Sequence, residues 1–147
     1  MKILFVCRGN VGRSQIAEAI FRHLIHAKFS VQSAGVEALG DDGTNLDGML
    51  LKNRYSSKHV IESLKEIDID VSNNVIKRIT QKMVKDADKI IVMIKPDAIP
   101  EYLKTNTRVI FWDIKDPDGQ TLEYHRKTRD EIKKLVEQLV HDILGHN

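Results

Sequence analysis

Val6-Cys7-Arg8-Gly9-Asn10-Val11-Gly12-Arg13-Ser14 is the stretch on which the organisation of the chain turns. An apolar run, Ile3-Leu4-Phe5-Val6, enters it, and a helical pattern, Gln15-Ile16-Ala17-Glu18-Ala19-Ile20-Phe21, leaves it. Residues 2–7 read as a buried strand, short and, after Lys2, continuously apolar. Residues 8–13 carry two glycines and an asparagine, a loop signature. Ser14 reads as the N-cap of an amphipathic helix running to about His26, with Ile16, Ala17, Ile20, Phe21 and Leu24 on its apolar face. The only cysteine therefore stands where a strand ends, and an arginine and a hydroxyl stand where a helix begins.

Working outward, Phe29 to Val36 reads as a second strand, and residues 37–57 as the least regular part of the chain. Within the latter, Gly40-Asp41-Asp42-Gly43 is turn chemistry and Asp47 to Arg54 a short helix. A helical pattern runs from Lys58 to Ile67, and Thr80 caps another over Gln81–Ala87. Lys89 to Ile94 is the clearest buried strand. Pro96 and Pro100 punctuate the segment after it, and Arg108 to Trp112 is a fourth strand. After the turn Asp116-Pro117-Asp118-Gly119, apolar residues from Ile132 to Ile143 recur at three- and four-residue steps, and Gly145 closes a last helix. This alternation predicts a single α/β domain over residues 1–147, with a doubly wound, four-stranded parallel sheet and helices on both faces. Ligands of such sheets sit beyond the carboxyl ends of the strands, where Cys7 and Asp116 both fall.

Bulk properties narrow the function classes. At 147 residues with a net charge of +2 and no basic block, nothing favours nucleic acid. The apolar runs are far too short to span a membrane, and Arg8 interrupts the N-terminal one before it resembles a secretory signal. A single cysteine excludes an internal disulfide and points to the reducing cytoplasm.

The loop has a chemistry of its own. Backbone N–H groups in a tight turn, with the dipole of the helix behind them, bind a phosphate dianion. Gly9 and Gly12 let the backbone curl close to it. Arg13 adds a planar fork for two oxyanion oxygens. The same field favours the thiolate of Cys7. Ser14 is placed to donate to that sulfur and Asn10 to brace the loop, while Arg8 lies at the rim and Val11 adds a backbone N–H. In-line displacement also needs an acid opposite the thiolate. Asp116 is the candidate, with Asp113 and Asp118 as neighbours able to serve instead. These residues describe a cysteine-dependent phosphatase acting on a phosphorylated protein or a small phosphomonoester. The scheme requires no metal and no cofactor, and the six histidines (23, 26, 59, 125, 141 and 146) show no ligand spacing.

The Cys-x5-Arg-Ser loop, Ser33-Ala34-Gly35, Ile69-Asp70-Val71-Ser72 and Asp116-Pro117 together resemble the low-molecular-weight protein tyrosine phosphatase family across nearly the whole chain. The resemblance implies a flavodoxin-like fold, a phosphocysteine intermediate and no cofactor. It matches Cys7, Asn10, Arg13, Ser14 and Asp116 to the family's functional positions.

Three features depart from that pattern. Gly12 stands where members often carry a second cysteine that protects the nucleophile as a disulfide. Peroxide is therefore expected to drive Cys7 past sulfenic acid; full thiol recovery on reduction, measured by mass spectrometry, would count against this. Asp118-Gly119 replace the aromatic wall of tyrosine-directed members, leaving the long segment 37–57, with Tyr55 its only aromatic, as another wall or lid. Val11 stands where phosphoarginine-directed members have threonine. Gln15, Trp112 and Arg129-Asp130-Glu131-Ile132 resemble the arsenate reductases that share the fold. With Lys95, Pro96, Asp97 and Ala98 after the third strand and no further thiol, this chain would reduce arsenate only with an external thiol. A third reading is an oxyanion-binding module without turnover.

Overall fold

The computed structural model describes residues 1–25 and 29–145; His26 and His146 lie outside them. The strands are β1 (Lys2–Cys7), β2 (Ser30–Gly35), β3 (Lys89–Val92) and β4 (Val109–Phe111), all parallel and ordered β2-β1-β3-β4. The helices are α1 (Arg13–Leu24), α2 (Lys58–Lys65), α3 (Gln81–Asp86), α4 (Glu101–Lys104) and α5 (Leu122–Leu144). Segment 47–54, expected to be helical, forms only a 3₁₀ turn at Leu51–Asn53. Its backbone pairs instead with residues 72–76, through bonds such as Leu51 N–H to Asn74 O and Ile76 N–H to Met49 O.

Alternation along β1 builds both halves of the core. Ile3 and Phe5 face Ile16, Ile20 and Phe21 of α1 and Ile132 and Val136 of α5, with Val60 and Leu64 of α2 alongside. Leu4 and Val6 face the opposite layer with Ile90, Val92, Ala87 and Leu103. Trp112 packs half-buried on the first layer, its ring 5.9 Å from that of Phe5, as a core residue.

The connection leaving β1 runs outward to β2 and that leaving β3 runs outward to β4, so the two part at the carboxyl ends of β1 and β3, the usual ligand position in such sheets. Cys7 pairs with Gly35 there, and the absence of a side chain at Gly35 decides the shape of the next loop. A Cβ on Gly35 would lie 2.7 Å from both Arg8 O and Gly9 C and 2.8 Å from Asn10 N, all backbone atoms that cannot swing aside. Gly35→Ala is expected to cost roughly 1–3 kcal/mol and to open the loop. Thermal melting checks this, with Gly9→Ala as the comparison because a Cβ there meets nothing closer than 3.9 Å.

Candidate active site

Residues 8–12 turn the chain from β1 into α1. The helix begins at Arg13 with Gly12 as its N-cap, so Ser14 is not the cap expected of it. No side chain caps the helix, and its first N–H groups stay available to an anion. Ser14 is instead committed to the cysteine: its Oγ lies 2.8 Å from Cys7 Sγ, and both residues are buried.

The direction of that hydrogen bond is set by the groups behind it. Asn10, fully buried and at φ 59°, accepts through Oδ1 from Lys77 N–H at 2.8 Å and Gln15 Nε2 at 3.0 Å. Its Nδ2 therefore spends its two hydrogens on Ser14 Oγ (2.8 Å) and Ser33 Oγ (3.0 Å). Ser33 gives its own hydrogen to the Glu18 carboxylate at 2.5 Å. Ser14 Oγ thus receives a hydrogen bond from Asn10, and its own O–H is left to donate to Cys7 Sγ. Asn10 and Ser14 act from beneath the loop, and neither lines the cavity above it. Gln15 extends the bracing to Val75 O (3.2 Å) and accepts from Asn74 Nδ2 (3.2 Å).

Arg13 is almost completely buried, and its guanidinium donates to Met93 O and, at 3.0 Å, to Ile114 O. Those carbonyls lie just past β3 and β4, so three strand ends converge on one cation. Asp116 Oδ2 stands 3.6 Å from Arg13 Nη2, while Asp116 Oδ1 accepts from Asp118 N–H at 3.0 Å. Asp116 is half exposed, so its carboxyl is open to both the cavity and solvent. Arg8 lies at the rim, paired with Glu37 at 2.8 Å.

The cavity above the loop is small, about 80 Å³, and takes Cys7, Arg8, Gly9, Val11, Gly12, Arg13 and Asp116 from the expected set. Its remaining walls were not foreseen residue by residue. Leu39, Asp41, Leu46, Arg54 and Ser56 come from the segment 37–57, which forms the expected wall. Tyr55 itself points away, 69% exposed, and carries the Arg54 guanidinium 4.2 Å above its ring. Arg54 is a second buried cation, braced by Asp42 Oδ1 at 3.5 Å and Ser56 Oγ at 3.3 Å. No sequence signal marks it, because it sits in the least regular stretch. His125 of α5 is buried at the cavity edge, its Nδ1 2.8 Å from Thr121 O and its ring 5.3 Å from that of His59. Asp118 also lines the rim, its carboxyl held above the ordinary range by burial and then by the charges of Asp41 and Asp116. Of the other candidate acids, Asp113 does not reach this cavity. The arrangement can bind a tetrahedral oxyanion between Arg13 and the loop, with a sulfur below it and a carboxyl group beside it.

Known proteins share this arrangement of elements. An arsenate reductase of Staphylococcus xylosus is 31% identical over 137 residues, covering 92% of each chain. The solved YwlE arginine phosphatase of Geobacillus stearothermophilus superposes with a TM-score of 0.81 at 25% identity, covering 99% of this chain and 94% of that one. An arsenate reductase in its phosphate-binding state gives a TM-score of 0.74 at 29% identity, covering 97% and 98%. The family model for low molecular weight phosphotyrosine protein phosphatase matches residues 2–146. The chain belongs to that family, which joins cysteine-based phosphatases to arsenate reductases.

Proposed function

We propose that the protein is a phosphomonoester hydrolase of the protein tyrosine phosphatase type, working through a phosphocysteine. The Cys7 thiolate attacks phosphorus while Arg13 and the loop N–H groups hold the equatorial oxygens. The ester P–O bond breaks as Asp116 gives its proton to the leaving oxygen. Water then attacks the phosphocysteine, Asp116 takes back a proton, and the P–S bond breaks. The Ser14 hydroxyl stabilises the departing thiolate. The substrate is a phosphorylated protein or a small phosphomonoester, and a lone nucleophilic thiol suits the reducing cytoplasm.

The presence of one cysteine in the whole chain carries this reading. Hydrolysis needs one thiol and water. Reduction of arsenate is a two-electron step that consumes two thiols and ends in a disulfide, and no second thiol exists here. The test is hydrolysis of para-nitrophenyl phosphate by the pure, reduced protein; absence of turnover overturns the proposal.

The arsenate reductases among the relatives support a second reading, with an external thiol. Cys7 would form a thiol–arsenate adduct. The external thiol would attack Cys7 Sγ, giving a mixed disulfide and releasing arsenite, and a second such thiol would restore Cys7. Arsenite formation from arsenate and glutathione, without phosphate ester hydrolysis, would establish it.

A further inference from the structure

The cavity above the loop is small, about 80 Å³, so a peptide carrying the phosphoryl group must extend beyond it. A second groove, of about 520 Å³, opens on the other side of Asp116 and shares Arg8, Arg13 and Asp116 with the first. Its floor is apolar, formed by Ile94, Ile114 and Tyr124. Lys95 and Lys115 stand at its edge, both exposed.

Pairing of the cations distinguishes the two sides of Asp116. On the small-cavity side Arg54 is paired with Asp42 and accompanied by Asp41 and Asp118. On the groove side Arg8 is taken up by Glu37, and Arg13 by Asp116 and two carbonyls. Lys95 and Lys115 have no carboxylate within 4.0 Å among the described residues, and Asp113 is the one other carboxylate on the groove. An apolar-lined groove edged by two unpaired cations and sharing Arg8, Arg13 and Asp116 with the small cavity matches a peptide with acidic side chains.

We propose that this groove is a substrate subsite for the polypeptide next to the phosphorylated residue, with Lys95 and Lys115 selecting acidic neighbours. The inference rests on the phosphatase reading and narrows it to a protein substrate. Lys95 and Lys115 are specificity determinants and take no part in bond making.

The test compares phosphopeptides that share a core and differ only in acidic, neutral or basic flanks, in phosphotyrosine, phosphoserine and phosphoarginine series. Para-nitrophenyl phosphate is assayed alongside. For the series that is hydrolysed, acidic flanks are expected to raise kcat/KM about tenfold over neutral ones at low salt, mostly through KM. The preference should fade at high salt. The double variant Lys95→Glu, Lys115→Glu should reverse the order while para-nitrophenyl phosphate turnover stays within about twofold. If para-nitrophenyl phosphate is hydrolysed but no peptide is, or the flanks make no difference, or the double variant keeps the wild-type order, the subsite is refuted and the phosphatase reading stands. If para-nitrophenyl phosphate is not hydrolysed, the phosphatase reading falls and the subsite with it.

Discussion

Cys7→Ser is expected to lower para-nitrophenyl phosphate turnover on the order of 10⁴-fold or more, to the background of the assay. The oxygen that replaces Sγ is a far weaker acid than a thiol and a poorer nucleophile toward phosphorus. Neither the loop N–H groups nor the Ser14 hydroxyl can make an alkoxide abundant at neutral pH. The fold should tolerate the change. Cys7 is 2% exposed, and the new hydroxyl meets Ser14 Oγ where Sγ stood 2.8 Å from it, so no buried polar group is left without a partner. Circular dichroism and retained binding of inorganic phosphate separate this outcome from misfolding. Substantial residual turnover would show that another group attacks, and Cys7 would lose its assignment.

Asp116→Asn is expected to have the second largest effect. Asparagine is close in shape, and its Oδ1 can still accept from Asp118 N–H, so the turn should persist. It cannot supply a proton to the leaving oxygen. Loss of a general acid costs about 10²- to 10⁴-fold, the smaller figure for a leaving group that departs readily as an anion. Para-nitrophenyl phosphate should therefore fall least and phenyl phosphate most, and the descending alkaline limb of the kcat/KM profile should flatten. Asp118→Asn is the necessary comparison. Its carboxyl is already pushed toward the protonated form by burial and by Asp41 and Asp116. A larger loss in Asp118→Asn than in Asp116→Asn would transfer the acid role to Asp118.

Local signals carried most of the fold. β1 spans residues 2–7 as its apolar run predicts, Thr80 caps α3 by accepting from Met83 N–H, and α5 ends at Gly145, where its three- and four-residue spacing closes. The errors lie where tertiary bonds outbid local propensity. Ser14 has the composition of an N-cap, but its hydroxyl is claimed by Cys7 and Asn10, and the helix starts two residues earlier than that cap implies. Segment 47–54, expected to be a short helix, has its backbone taken by residues 72–76. The reactive loop was legible because its chemistry is contiguous in sequence. Arg54, His125 and the groove at Lys95 and Lys115 were not, because only the folded chain brings them to one place.

Residues 72–79 run between the reactive loop and the wall made by 37–57, and hold each by different atoms. Toward the loop they offer Lys77 N–H to Asn10 and Val75 O to Gln15. Toward the wall they offer Ser72 O to Lys52, Asn74 O to Leu51 and Ile76 O to Gly48, while Ile76 N–H returns to Met49 O. All of those wall bonds are made by backbone and so survive almost any change of side chain. The wall can therefore drift or be exchanged between relatives without disturbing the sulfur, its hydroxyl partner or the arginine. One scaffold can change the walls around its loop while keeping the loop's own bonding intact.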